Sequence, residues 1–309
     1  MPLRYTLRQL EYLVAVGETG SIAAASQQVN VSSPSISAGV SQLEDELGVK
    51  LFVRHHAQGL TPTPAGHTLL DHAQMVLRQA AGLGDLAASL TGSVRGPLSI
   101  GCLSTFAQIV LPGLRRSFTE QYSDVRIRQI EADQSELFGL LRQAKIDLAL
   151  TYDLDLPRDL SFHPMLALPP VVAMSETHPL AHFPAVSIEE LAPHPMVLLD
   201  LPHSTDYFLS FFTRAGLRVN IAERTRDMAV MRGLVANGFG YSIVNVRPMN
   251  DLAPDGKPMR FIPLTGGQRP MKLGVLSIAG TDKPLLHKAF LSHAEDWISA
   301  QREHLLGAG

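Results

Sequence analysis

Hydroxyl side chains occur at two points where an apolar strand pattern gives way to a helical pattern. Ser104 and Thr105 follow the strand pattern PLSIGCL, and Ser204 and Thr205 follow the strand pattern PMVLLD. In open α/β sheets, ligands bind beyond the carboxyl ends of the strands, where backbone N–H groups at helix N-termini favour anions. The two hydroxyl pairs therefore predict a site for a carboxylate or another small anion. Ordinary capping of the two helices is the alternative explanation of the same residues.

The same strand ends contribute the other residues that we expect in this site. Tyr152 ends the pattern DLALTY, and Phe239 lies beside the pattern GYSIVN, so their rings can form walls around a ligand. The remaining candidates adjoin the two hydroxyl pairs and are Leu103, Pro202 and His203.

A second set of small polar side chains lies near the N-terminus, in GSIAAASQQVNVSSPSISAGVSQLEDELG at residues 20–48. Two helical patterns separated by a short turn fit a helix-turn-helix, whose second helix enters the major groove of DNA. We expect Ser33 to cap this second helix, with Pro34 at its first position and Gly48 at its end. Its face opposite the apolar stripe carries Pro34, Ser35, Ala38, Ser41 and Gln42. Two adjacent helices of an ordinary helical fold are the alternative.

The charge of this segment gives DNA binding little support. The first 66 residues hold four cationic side chains and five acidic ones, whereas nucleic-acid-binding modules usually carry a basic surface. DNA affinity would therefore depend on a few placed cations, on helix N-termini, on partial protonation of histidines and on the doubled contact area of a dimer.

Histidine and cysteine residues suggest metal or catalytic alternatives. His178 and His182 have i, i+4 spacing, but Pro179 lies between them and no HExxH carboxylate accompanies them. Cys102 needs a suitably placed histidine to act as a nucleophile, so packing in a sheet explains it more simply. We therefore expect no enzymatic activity, no metal and no cofactor. The alternative class is a small-molecule-binding protein or hydrolase with an appended helical domain.

Length and composition fit a multidomain globular protein. The chain has 309 residues, of which 45% are hydrophobic and 18% charged, enough for two or three domains with real cores. Apolar runs fall short of the roughly 20 residues that span a bilayer, and the N-terminus lacks the apolar core of a signal peptide. With one cysteine, an intrachain disulfide is excluded. We expect a cytoplasmic protein without a membrane partner.

A long helical pattern from Ala65 to about Leu90 follows the helix-turn-helix. Leu69, Val76 and Leu83 lie seven residues apart on one face of it, as in a helix that pairs with another helix. The pattern predicts a dimerisation helix, with packing on the C-terminal domain as the alternative.

Strands alternate with helices through the rest of the chain. PLSIGCL, VRIRQIE and DLALTY belong to one βαβαβ series, and PMVLLD, VNIAERT and GYSIVN to a second, which predicts two α/β lobes with parallel strands. We expect FHPMLALPPVVAMS and PMRFIPL to cross between the lobes. MKLGVLSI and a helix from Pro284 to about His304, with Trp297 as a core anchor, should complete the first lobe.

The N-terminal stretch LRQLEYLVAVGETGSIAAASQQVNVSSPSISAGVSQLEDELGVKLFVR resembles the DNA-binding domain of LysR-type transcriptional regulators along its whole length. The most specific matches are Gly20-Ser21, Ala24-Ala25, Pro34, Ser37, LEDELG at 43–48, Leu51-Phe52 and Arg54. The TPAG sequence at 63–66, the length and the two-lobed layout resemble the same family.

The resemblance implies an α/β multidomain fold with a winged helix-turn-helix, a long linker helix and a C-terminal domain like the type 2 periplasmic-binding proteins. The implied domains are residues 1–65 for DNA binding, 66–92 for dimerisation and 93–309 for effector binding. Lobe I would comprise residues 97–161 and 267–303, and lobe II residues 162–266. The implied function is transcriptional regulation, as a dimer or tetramer on double-stranded promoter DNA, in response to a small effector. RNA polymerase is a further candidate partner.

Several positions expected at the DNA depart from the family pattern. Ser33 stands where the family usually has Gln, Ala38 and Gly39 where it often has Arg or Lys, and Pro62 where Leu is usual. Serine and alanine cannot make bidentate base contacts, so DNA shape and thymine methyl groups should matter more. The residues expected at the DNA are Ser33, Pro34, Ser35, Ser37, Ala38 and Gln42, with Arg54, His55 and His56 of the wing at the backbone or minor groove.

Overall fold

A computed structural model describes residues 4–55, 59–90, 92–248, 250–280 and 283–306. The chain divides into two compact units, residues 1–93 with 142–145, and residues 94–141 with 146–309. None of the helices among the described residues is both long and apolar enough to cross a membrane.

The N-terminal unit consists of three short helices, a two-stranded antiparallel ribbon and a long helix. These elements are α1 (Leu7–Thr19), α2 (Ile22–Gln28), α3 (Ser33–Leu47), β1 (Phe52–His55), β2 (Gly59–Pro62) and α4 (Pro64–Leu90). Gly20 and Gly48 end α1 and α3 in the left-handed conformation that favours glycine. Ser32, not Ser33, caps α3, because its hydroxyl accepts the backbone N–H of Ser35; Ser33 is already helical. The predicted capping residue was therefore wrong by one position.

The start of α4 belongs to the core of this unit. Leu70 and Ala73 are buried with Leu10 and Leu13 of α1. A side chain at Gly66 would meet the Leu51 carbonyl oxygen at 2.0 Å, so only glycine allows the chain to enter α4 at this point. The sequence-based division at residues 65 and 66 therefore does not correspond to a break in packing.

Lobe I of the second unit contains a five-stranded sheet of order β4-β3-β5-β12-β6. Its elements are β3 (Gly96–Leu103), α5 (Ser104–Ala107), α6 (Leu111–Gln121), β4 (Val125–Ala132), α7 (Gln134–Arg142), β5 (Leu148–Tyr152) and β6 (Leu160–Leu168), and at the end of the chain β12 (Met271–Ile278), α11 (Leu285–Ala300) and α12 (Arg302–Leu306). As the βαβαβ pattern predicted, β3 pairs in parallel with β4 and β5. β12 pairs antiparallel with β5 and β6.

Lobe II contains a three-stranded sheet of order β10-β7-β11 and a parallel pair, β8 and β9. Its elements are β7 (Val171–Ser175), α8 (Ile188–Leu191), β8 (Pro195–Leu199), α9 (Ser204–Arg214), β9 (Asn220–Thr225), α10 (Met228–Ala236), β10 (Ser242–Val244) and β11 (Met259–Pro263). A bridge between Met196 and Tyr241 links β8 to the residue before β10.

Two sequence-based expectations about the crossings need correction. β6 pairs with β12, so residues 160–168 belong to the sheet of lobe I and the expected start of lobe II at residue 162 is too early. Pro169 and Pro170 lack the N–H that a continuing strand needs, and the chain leaves the first sheet there. β11 stays in lobe II beside β7, and the chain crosses back after it.

Two residues of lobe I have the packing roles that the sequence predicted. Cys102 is fully buried in β3, and this burial raises the pKa of its thiol. Trp297 packs on the core against α6, where a side chain at Gly113 would lie 2.7 Å from the indole ring.

Candidate DNA-binding face and effector cavity

α3 has one buried and one exposed side, as its sequence pattern predicts. Ile36, Gly39, Val40 and Leu43 are buried. On the other side Pro34, Ser35, Ala38, Ser41 and Gln42 are exposed, while Ser33 and Ser37 are half-buried. The candidate DNA-contacting residues therefore share an accessible surface and carry no charge themselves; we name this surface the α3 face. The exposed Asp45 lies on the same side of the helix, one turn after Ser41 and Gln42.

Hydrogen bonds and close packing fix the α3 face on the unit. The Ser35 hydroxyl lies 2.8 Å from the Ser32 hydroxyl. The side-chain oxygen of Gln42, Oε1, accepts a hydrogen bond from Nε2 of Gln9 at 3.2 Å. A side chain at Gly39 would lie 2.6 Å from the Tyr12 ring. Gly39 therefore allows α3 to approach α1 closely at this point.

The described cationic side chains around the α3 face have acidic neighbours. Arg4 lies 3.7 Å from Glu46, Arg8 lies 2.7 Å from Glu11, and Lys50 lies 2.6 Å from Glu44. These pairs reduce the positive potential available for phosphates.

Glu44 also joins α3 to the wing. Its Oε1 accepts the backbone N–H of Leu51 at 2.8 Å. Burial raises the pKa of Glu44, but the hydrogen bonds from Lys50 and from the Leu51 and Phe52 N–H groups outweigh burial and lower that pKa overall. The carboxylate is therefore a structural acceptor and is not available for DNA.

The wing is the β1–β2 ribbon. Phe52 pairs with Pro62 and His55 with Gly59, and the Leu60 N–H donates to the Gly20 carbonyl at 2.7 Å. The backbones of Arg54 and His55 lie in β1, but the structure does not describe their side chains. His56 lies outside the described residues. Their contacts with DNA stay predictions.

The three residues expected at a dimer contact differ in exposure along α4. Leu69 is half-buried against the core of its own unit. Val76 is 40% exposed and Leu83 is 69% exposed. An apolar stripe on α4 is therefore accessible beyond the first three turns.

A cavity lies between the two lobes and is lined by residues of both. The last residues of four strands line it: Leu103 of β3, Tyr152 of β5, Leu199 of β8 and Val244 of β10. This is the position that the carboxyl-end rule predicts for a ligand site. Of the candidate effector residues, the structure brings Leu103, Thr105, Tyr152, Pro202 and Ser204 together in the lining.

Capping of the two helices, the alternative explanation of the hydroxyl pairs, is wrong. The residues that precede α5 and α9 are Leu103 and His203, and neither caps its helix through a side chain. The Thr205 hydroxyl donates within lobe II, to Asp200 Oδ1 and the Leu201 carbonyl. Ser204 donates to the same carbonyl at 3.3 Å. Hydroxyls used in this way are poor anion ligands.

Three further candidates lie away from the cavity lining. Ser104 is half-buried in the first turn of α5, and His203 contacts lobe I as described below. Phe239 is 49% exposed because it precedes β10, whereas the cavity adjoins the carboxyl end of that strand. Its expected role as a wall is therefore wrong.

Sequence reasoning missed Gln134 and Asn245, the two buried amides of the lining. Both Gln134 Nε2 contacts are backbone carbonyls, Leu154 at 2.6 Å and Tyr152 at 3.3 Å. Asn245 Nδ2 donates to the Leu168 carbonyl at 2.8 Å and contacts the Tyr207 hydroxyl at 3.3 Å. Asn245 directly follows β10, so the carboxyl-end rule could have identified it. Gln134 begins α7 two residues after β4 ends, so the same rule could have identified it.

Burial raises the pKa of two tyrosines at this site. Tyr207 donates its hydroxyl to the Arg269 carbonyl at 2.5 Å, and burial raises the pKa of Tyr207 to about 12. Burial also raises the pKa of Tyr152. Both rings are therefore neutral at physiological pH.

His203 links the lobes at the edge of the cavity. Its Nε2 lies 3.1 Å from Ser135 Oγ of α7, and its Nδ1 lies 3.0 Å from Asp155 Oδ2 after β5. The order of these contacts is that of a Ser-His-Asp triad. However, none of the three lines the cavity, and the Asp155 side chain is 70% exposed. Arg226 of lobe II contacts Asp133 of lobe I at 3.2 Å, so both contacts are best explained as links between the lobes.

Comparisons with known families agree with this architecture. Residues 7–67 match the family described as bacterial regulatory helix-turn-helix protein, lysR family, and residues 91–299 match the LysR substrate binding domain. The first match covers the three short helices and the wing, the second covers both lobes, and most of α4 lies between them.

Individual relatives carry the same two parts. The chain is 31% identical to the transcriptional regulator CysB of Haemophilus influenzae over 241 residues, 77% of this chain and 75% of that protein. It is 33% identical to the crystal structure of HinK, a LysR family regulator from Pseudomonas aeruginosa, with a TM-score of 0.64 over 94% of this chain and 98% of HinK. CbnR complexed with its target DNA shares the fold, with a TM-score of 0.66 at 23% identity over 94% of this chain and 99% of CbnR.

The fold and the two matched domains define a DNA-binding transcriptional regulator with an effector-binding domain. The chain belongs to the LysR family of transcriptional regulators.

Proposed function

We propose that this regulator places its α3 face and wing on promoter DNA and that a small effector in the cavity between the lobes modulates promoter binding or activation. The observation that carries the effector part is the convergence of four strand ends, from both lobes, on one cavity. A ligand held by both lobes can change their relative position and so shift the regulator between two states.

The α3 face supports DNA binding by shape more than by charge. Small side chains allow α3 to enter the major groove closely, and thymine methyl groups can contact Ala38. Arg54 is the candidate phosphate contact in the wing, with His55 and His56 beside it.

The exposed stripe of α4 supports self-association. Burying Val76 and Leu83 against a second copy would remove apolar surface from water and place two α3 faces on one DNA molecule. We propose a dimer through α4, which can associate further into a tetramer, with RNA polymerase contacting the regulator on the promoter.

An anionic effector, expected from the sequence, finds less support in the cavity. The described residues that line it include no charged side chain, and burying a charge without a partner is costly. A carboxylate would have to rely on neutral hydroxyl and N–H groups.

The effector site can be tested by filling it. Ser204 lines the cavity, and Ser210 of the same helix lies outside the lining. Full-length wild type, Ser204→Phe and Ser210→Phe are screened by thermal shift against small metabolites, and hits are assayed for a change in affinity for DNA upstream of the protein's own gene. We expect hits to stabilise wild type and Ser210→Phe but not Ser204→Phe. Equal responses of all three proteins would reject this cavity as the effector site.

A further inference from the structure

Two buried polar atoms of the cavity lining have no hydrogen-bond partner within 3.5 Å among the described residues. They are Oδ1 of Asn245 and the hydroxyl of Thr105, whose residues are 5% and 6% exposed. The Thr105 hydroxyl has only a weaker interaction, with the Tyr152 side chain. Both residues line the cavity. A buried polar atom without a partner costs free energy, so a ligand that supplies the missing bond gains affinity.

The neighbours of Asn245 fix which kind of bond is missing. Its Nδ2 lies 2.8 Å from the Leu168 carbonyl oxygen, which can only accept. The NH₂ end of the side-chain amide must therefore face Leu168. Oδ1 therefore faces away from Leu168 and can only accept. Its missing partner is a donor, O–H or N–H. Thr105, in contrast, can donate or accept.

The other residues of the lining favour a ligand whose body is apolar. Large apolar side chains from both lobes form most of it, including Leu199, Leu201, Phe208 and Met271. An ionised carboxylate has no proton to donate to Asn245 and would meet no cation in the described lining. Both features disfavour an anion and favour a neutral molecule.

We propose that the effector is an uncharged molecule with a compact apolar body and a hydroxyl or N–H group that donates to Asn245 Oδ1, with a second polar contact at Thr105. This inference rests on the proposed function, because it assigns a chemical class to the effector of the same cavity.

Three ring compounds of similar size separate the alternatives. Benzyl alcohol supplies a donor, toluene supplies none, and benzoate replaces the donor with an anion. Binding to the full-length protein is measured by ligand-observed NMR and competition. We expect benzyl alcohol to bind about tenfold more tightly than either of the others, because only it satisfies the buried acceptor.

A pair of threonines provides matched variants. Thr105→Val removes the hydroxyl at the cavity with little change in shape. Thr151→Val removes another buried hydroxyl without a partner, on β5 and outside the lining. We expect Thr105→Val to reduce the preference for benzyl alcohol over toluene at least about threefold, because one polar contact is lost. Thr151→Val should leave the preference unchanged.

The outcomes distinguish a wrong ligand class from a wrong site. If benzoate or toluene binds as tightly as benzyl alcohol, and Ser204→Phe removes that binding, the cavity is the effector site but the proposed class is wrong. An unchanged preference in Thr105→Val would also overturn the class. If no probe binds wild type more tightly than Ser204→Phe, the site and the class both fail.

Discussion

The α3 face and the effector cavity differ in how many parts of the chain build them. The α3 face comes from one helix whose exposed side follows from a 15-residue pattern. The cavity needs residues from both lobes, at the ends of four strands that are far apart in the sequence. A DNA-binding surface can therefore be a local property of one helix, whereas a ligand site between lobes depends on how the lobes meet.

The largest effect is expected from placing a charge on the α3 face. Ser35→Glu puts a carboxylate against DNA, and like charges brought together cost several kcal/mol, so operator binding should weaken by roughly a hundredfold or more. Ser35→Ala is the matched control and should bind within a few-fold of wild type. Fluorescence anisotropy measures both, with circular dichroism to confirm folding. Retained affinity in Ser35→Glu would place α3 away from the groove.

The next effect concerns the exposed stripe of α4. Val76→Glu would bury an unpaired charge in the proposed helix pair and cost several kcal/mol, so dimers should dissociate. Ala81→Glu adds the same charge to an exposed position that is 140° around the helix and should leave the mass unchanged. Light scattering decides between them. An unchanged mass in Val76→Glu would mean that the dimer contact lies elsewhere.

A smaller effect is expected at the acceptor that joins α3 to the wing. Because the pKa of Glu44 is lowered in the folded protein, its stabilisation is present above the unfolded pKa and lost as pH falls through the folded pKa. Glu44→Gln should therefore cost about 1–2 kcal/mol in the free energy of unfolding of the N-terminal unit at neutral pH. It should cost less at low pH. Glu46→Gln, at an exposed pair with a 3.7 Å separation, is the control. Urea unfolding at pH 7 and pH 3.5 makes the comparison, and equal losses at both pH values would contradict it.

The smallest effect is expected at the link between the lobes. A double-mutant cycle of His203→Ala and Asp155→Asn should give a coupling below about 1 kcal/mol, because the Asp155 carboxylate is largely solvated. Thermal unfolding of the second unit supplies the four free energies. A coupling of several kcal/mol would show that this contact is a major determinant of lobe closure.

The same comparison explains which features the sequence allows one to predict. Helix periodicity identified α3, its exposed side and the long α4, because these depend on residues three and four positions apart. The βαβαβ pattern identified the parallel pairing of β3 with β4 and β5 and of β8 with β9, but not the antiparallel pairing of β10 with β7. The carboxyl-end rule identified Leu103 and Tyr152 as cavity residues. Each of these inferences uses local spacing or a general rule of α/β folds.

The predictions that failed concern the orientation of side chains and the partners that they contact. Ser104 and Ser204 were expected to hold an anion, with helix capping as the alternative, but Ser204 donates to the Leu201 carbonyl and neither serine caps its helix. Phe239 was assigned to the wrong end of its strand. Asn245 directly follows β10 and was overlooked, but the orientation of its side-chain amide depends on the Leu168 carbonyl, which lies 77 positions away in the sequence. Such contacts are set by tertiary packing.

Hydroxyl-radical footprinting of the full-length protein on DNA upstream of its own gene tests the central claim most directly. A dimer with two α3 faces should protect two half-sites on one side of the duplex, with centres about 10 base pairs or a multiple apart. Protection at both half-sites should disappear together in Ser35→Glu. A single protected site that persists in Ser35→Glu, or no protection at micromolar protein, would contradict the claim that paired α3 faces bind promoter DNA.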